Sequence, residues 1–107
     1  MTIEGEIKFG ICLWLERNGC RPRVLQSVGI AGRKNNSRWS CRGVSDIFTS
    51  WEKTPLFIEV KAPGRKATPE QLEFMEWARA EGWYAFVAYS LEDVIKELGN
   101  KWRNTKT

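Results

Sequence analysis

Apolar residues recur at helical spacing near the start of the chain and then give way to alternation. Ile7, Ile11, Trp14 and Leu15 lie on one face of a helix predicted over residues 3–18. Thr2 can cap its start, and Gly19 can end it. Pro22 breaks the helical pattern, and residues 23–28 read as a short strand. Residues 43–48 and 56–62 read as two strands of an antiparallel hairpin, with a loose turn over 49–55. A second helix is predicted over 69–81, with Thr68 at the cap, Pro69 at the first helical position and Gln71 at the third. Leu72, Met75 and Ala78 mark part of its apolar face, and Gly82 suits its end. Residues 83–89 read as a buried strand. Ser90 caps a last helix over 91–98 that Gly99 ends, which leaves 99–107 as a frayed, polar and basic tail.

The order is helix, strand, strand, strand, helix, strand, helix. It predicts an α/β fold in which a small mixed β-sheet is flanked by helices. A chain of 107 residues is long enough for one core, so a single domain over 1–107 is expected.

The alternation places charges where apolar residues are expected. Val44, Asp46 and Phe48 share one face of their strand. Phe57, Glu59 and Lys61 share a face of the next strand, opposite Leu56, Ile58, Val60 and Ala62. Burying a charge is costly unless it is paired or holds a metal. Strand pairing can bring Asp46 opposite Glu59 and Lys61. Two carboxylates beside a lysine suit phosphodiester hydrolysis, in which a divalent cation neutralises phosphate and lowers the pKa of a water. Asp46 and Glu59 are hard oxygen ligands suited to Mg²⁺ or Mn²⁺, and the backbone carbonyl of Val60 can add another. Lys61 is the candidate catalytic cation. The competing reading is an exposed Glu-Lys strand pair. The apolar flanks, Phe57-Ile58, Gly43-Val44 and Ile47-Phe48, argue against it.

Charge and cysteine content narrow the class further. The net charge is only +4, but Arg21, Arg23, Arg33, Lys34, Arg38 and Arg42 fall in a stretch without an acid. Such a stretch attracts polyanions. Arg33, Lys34, Arg38 and Arg42, with Arg65 and Lys66 in the turn after the second strand of the hairpin, are the candidate DNA-binding cations. The absence of histidine excludes His-based metal sites and His general bases. Cys12, Cys20 and Cys41 form no CxxC pair and read as reduced thiols of a cytoplasmic protein. No apolar run approaches the ~18 residues of a membrane span. No small-molecule cofactor is expected.

These motifs, taken in order, resemble the VRR-NUC domain of the PD-(D/E)xK nuclease superfamily. Gly43-Val44-Ser45-Asp46-Ile47-Phe48 matches its Gly-x-Ser-Asp strand, and Phe57-Ile58-Glu59-Val60-Lys61 its Ile-Glu-x-Lys strand. Thr68-Pro69-Glu70-Gln71 matches the helix start, and Gly82, the strand after it and Ser90-Leu91-Glu92-Asp93 follow in the family's order. The resemblance covers nearly the whole chain. It implies a restriction-endonuclease-like core and a minimal stand-alone module of the kind typical of phage, acting in the cytoplasm of a bacterial host. It implies Asp46 and Glu59 as metal ligands, Lys61 as the catalytic lysine and Gln71 as a glutamine that closes the site. It also implies an auxiliary acid in the first helix. Glu6 fits that spacing, with Leu15 and Gly19 following it, better than Glu4 does. Stand-alone members are associated with branched DNA such as four-way junctions, and symmetrical cutting of two strands suggests a homodimer.

The reading that results is a divalent-metal-dependent DNA endonuclease acting on branched or duplex DNA. The alternatives are a non-catalytic nucleic-acid-binding module on a nuclease-like fold and an interaction subunit whose basic face meets an acidic protein.

Overall fold

The computed structural model describes residues 2–25 and 47–106, with side chains described as far as Gly99. The elements are α1 (Ile3–Arg17), β1 (Arg23–Val24), β2 (Ile47–Trp51), β3 (Thr54–Val60), α2 (Pro69–Ala80), β4 (Tyr84–Ala88) and α3 (Leu91–Lys106). Among the described residues the strands form one sheet in the order β1-β2-β3-β4. β2 runs antiparallel to both β1 and β3, and β4 runs parallel to β3. A parallel neighbour needs a crossover, and α2 supplies it.

The two sides of β3 are filled differently. Leu56, Ile58 and Val60 join a core that also holds Ile11 and Leu15 of α1, Ile47 and Trp51 of β2, Ala88 of β4, and Val94 and Leu98 of α3. Phe57 faces the other way, into a smaller cluster with Met75 and Ala78 of α2 and Ala85 of β4. Two helices therefore cover one face of the sheet and one helix covers the other. Trp51 is only 6% exposed and stacks on Trp14, with centroids 5.5 Å apart and planes 12° from parallel.

Both α1 and α2 stop where glycine was expected to stop them, and by the same hydrogen bonds. Gly19 N–H donates to the Glu16 carbonyl and Cys20 N–H to that of Leu15, each at 3.0 Å. Gly82 N–H donates to Arg79 and Trp83 N–H to Ala78, again at 3.0 Å. Each glycine has φ +87°, a left-handed conformation that is costly for a residue with a Cβ.

Three boundaries differ from the sequence reading. The hairpin turn is tight, not loose: β2 continues to Trp51, which pairs with Thr54 across Glu52 and Lys53. Both turn residues have positive φ, 53° and 67°, as a type I′ turn demands, although neither is the usual Asn or Gly. Pro55 had suggested a loop, yet it lies in β3 opposite Ser50. The pair that closes the hairpin is hydrogen-bonded, so the next pair is not, and the missing N–H of Pro55 costs β2 nothing. The β4 ladder begins only at Leu56. The last helix does not end at Gly99 but runs to Lys106. In α2, Leu72 is 49% exposed instead of buried. The inward stripe is Gln71, Phe74, Met75 and Ala78, with the spacing i, i+3, i+4, i+7, and a glutamine at its first position hides it from an apolar count.

Candidate functional site

Glu59 is the next-to-last residue of β3, paired with Val87 of β4, and is 2% exposed. Alternation along β3 sets it on the Phe57 side, beneath the start of α2. Lys61 follows the end of the strand, and its backbone N–H donates to the Ala88 carbonyl at 3.0 Å. That bond continues the β3–β4 contact and holds the lysine on the side of Glu59. Lys61 Nζ is 3.5 Å from Glu59 Oε2, with the lysine side chain 14% exposed.

Gln71 completes the group. Thr68 Oγ1 accepts from Gln71 N–H at 3.2 Å, and Gln71 Oε1 accepts from Thr68 N–H at 2.7 Å, forming a capping box. The remaining end of the same amide, Nε2, donates to Glu59 Oε2 at 2.8 Å. The amide has only one workable orientation here. Turned over, its NH₂ would face the Thr68 N–H and its oxygen would face a carboxylate. The amide that caps α2 is thus the same one that reaches Glu59.

Glu59 is a carboxylate taken out of water, and two donors replace its solvation at Oε2. A hydrogen bond to a charged group contributes roughly 1.5–3 kcal/mol, against a desolvation cost of several kcal/mol for the buried ion. The carboxylate and the adjacent Val60 carbonyl are hard oxygens, the donor type Mg²⁺ and Mn²⁺ prefer. This donor chemistry fits a divalent cation. Among the described residues, however, no three Asp, Glu, Cys or His side chains come together.

The other residues expected at a site are distributed as follows. Asp46, Arg33, Lys34, Arg38 and Arg42 lie outside the described residues. Ile47, which follows Asp46, pairs with Ile58, which precedes Glu59. Glu6 is exposed in the first turn of α1, where Glu4 is half-buried. The buried residues of α1, Ile11 and Leu15, pack on the sheet face opposite Glu59. Arg65 and Lys66 are exposed in the turn that joins Lys61 to Thr68. Arg65 N–H donates to the Ala62 carbonyl at 3.0 Å, which closes that turn.

Sequence reading did not anticipate the aromatic floor behind the site. Phe57 contacts Phe48 at 4.8 Å, Phe74 at 5.1 Å and Trp83 at 5.6 Å between ring centroids, and Trp77 closes on Trp83 at 5.1 Å. The available signal was Phe74 and Trp77 three apart on one helix, beside the aromatic Trp83 after its end.

The thiols are quiet. Burial pushes Cys12 up from its ordinary value, with the nearby Glu16 adding to the effect and Lys8 opposing it. Burial alone raises Cys20.

No protein-family model matches the chain, and no curated protein matches its sequence. Among solved structures it is similar to a VRR_NUC domain, with 26% identity over 90% of this chain and 94% of that one and a TM-score of 0.68. The resemblance read from the ordered motifs is thus present in the fold. The mixed four-stranded sheet with three helices is the PD-(D/E)xK-like nuclease core expected from the sequence, and the match supports a nuclease-like domain. No helix among the described residues is long and apolar enough to cross a membrane.

Proposed function

We infer, from a chain that folds as a VRR_NUC domain does, that this protein is a Mg²⁺- or Mn²⁺-dependent DNA endonuclease with selectivity for branched DNA such as four-way junctions. The observation that carries the reading is the buried carboxylate of Glu59, held by Gln71 at 2.8 Å with the Lys61 ammonium 3.5 Å away. A structural ion pair gains little from such burial, because apolar residues of similar volume are often as stable. A site that must present a fixed carboxylate and a fixed cation to a phosphate does gain from it.

Glu59 and Asp46 would hold the cation, with the Val60 carbonyl as a further donor. A bound Mg²⁺ or Mn²⁺ supplies charge neutralisation at the phosphate and lowers the pKa of a water. Gln71 fixes the rotamer of Glu59, so little reorganisation is left when substrate arrives. Lys61 donates hydrogen bonds to the reacting oxygens and balances negative charge as it develops on the phosphate. Glu6 is assigned as the auxiliary acid. Arg65 and Lys66, with Arg33, Lys34, Arg38 and Arg42, hold phosphates and so fix position rather than sequence. Two symmetrical cuts across a junction would use a homodimer acting in the cytoplasm.

Cleavage of a labelled four-way junction, a flap and a plain duplex in Mg²⁺ and Mn²⁺, with EDTA as control, tests this reading. The expected outcome is metal-dependent nicking with the junction cut fastest. Lys61→Ala should lower the rate by about 10²–10³-fold, the loss typical of removing one group that stabilises transition-state charge. Tight binding without cleavage of any substrate would favour the non-catalytic binding module.

A further inference from the structure

Beyond the Glu59 site, a groove lies where α1 ends and β1 and β2 meet. Its lining includes Arg21, Arg23, Lys53, Phe48, Ser50 and Pro55. Three of these are cations and none is an acid. Among the described residues no carboxylate pairs with Arg21, Arg23 or Lys53, and Arg23 spends one guanidinium N–H on the Pro22 carbonyl at 2.9 Å.

The groove is on the same sheet face as Glu59. Arg23 pairs with Phe48, and Phe48 with Phe57, which is two residues before Glu59 on β3. The α2 cluster draws on β3 and β4, and Phe48, on β2, is 39% exposed. Phe57 supports its ring at 4.8 Å and is itself braced by Phe74 and Trp83. An exposed, braced ring beside three cations that have no carboxylate partner among the described residues is a stacking platform beside phosphate contacts. A base inside a duplex has no free face to offer it, whereas an unpaired base does.

We propose that this groove binds a single strand of nucleic acid, with Arg21, Arg23 and Lys53 on its phosphates and an unpaired base stacked on Phe48. The strand's continuation toward Glu59 rests on the nuclease reading. The groove itself does not. It gives the branched-DNA preference a physical source: a strand leaving the duplex exposes base faces that a continuous duplex hides.

The test is fluorescence anisotropy of a labelled oligothymidylate in EDTA, which needs no cleavage. Phe48→Leu keeps an apolar side chain over Phe57 and should weaken binding about tenfold. Replacing Arg21, Arg23 and Lys53 together by Ala changes only exposed side chains. It should lower the slope of log affinity against log salt by about 2, at ~0.7 per phosphate contact on a single strand. Circular dichroism verifies that each variant folds. Unchanged affinity and salt slope in both variants overturn the proposal. So does displacement of the oligothymidylate by polyglutamate at equal charge concentration, which would point to an acidic protein. Failure of the wild-type protein to cleave junction, flap and duplex alike in Mg²⁺ or Mn²⁺, with groove binding intact, overturns only the nuclease reading.

Discussion

β3 borders two environments that differ by one residue in register. On one face Leu56, Ile58 and Val60 are fully buried beneath α1 and α3 in a core of aliphatic and aromatic side chains, with Thr49, which pairs with Leu56, buried beside them. On the other, Phe57 and Glu59 lie beneath α2, and a buried carboxylate takes the place of the next apolar side chain. The first face is held by area removed from water. The second gives up part of that gain to hold a charge in one geometry, with Gln71 and Lys61 as its replacement solvent. The same strand therefore serves stability on one side and, on the proposed reading, chemistry on the other. A substitution should reveal which side it touches.

The sharpest contrast pairs Ile58 with Lys61. Ile58→Ala opens a cavity in this core and should cost about 2–5 kcal/mol of stability in urea unfolding, with any activity lost only through unfolding. Lys61→Ala, at the rim of the other face, removes one donor to the buried Glu59 carboxylate and should cost less stability than Ile58→Ala while cleavage falls. Equal loss of stability in both variants would erase the distinction between the faces.

Gln71 should fall between these extremes. Gln71→Ala removes the acceptor for Thr68 N–H and the donor to Glu59 together. A stability loss of about 1–3 kcal/mol is expected, accompanied by weaker divalent-metal binding measured by calorimetry. Gln71→Glu separates the two roles. It keeps the cap acceptor but sets a second carboxylate against Glu59, so helix content should hold while the Lys61–Glu59 geometry is disturbed.

The smallest effect concerns the thiols. Cys12 and Cys20 keep their protons to higher pH in the folded state because burial disfavours the thiolate. Their contribution to stability is complete below the ordinary thiol value of 9.0 and is lost as pH rises through the raised folded value. Thermal melts should therefore decline gently above about pH 9. Replacing both cysteines by Ala should flatten that decline.

Much of this was legible in the chain. Helix starts and ends were set by local chemistry, so Thr2, Gly19, Thr68, Pro69 and Gly82 marked α1 and α2 nearly to the residue. The two faces of β3 followed from a period of two, and the ordered motifs pointed to the nuclease-like core. Weaker local signals failed. Glu52 and Lys53 adopt positive φ without glycine because the strands on either side impose the turn. Gly99 does not stop a helix whose Leu98 is buried in the core.

The sequence by itself determined which residue types were available for chemistry and on which face of each strand they would stand, because alternation and capping act over a few residues. Only the tertiary structure decided that the amide of Gln71 reaches the carboxylate of Glu59, twelve residues away, and that Arg21, Arg23 and Lys53 line one groove with Phe48. Those meetings depend on strand order and on where α2 lands, which the packing of both sheet faces settles together and no local pattern encodes.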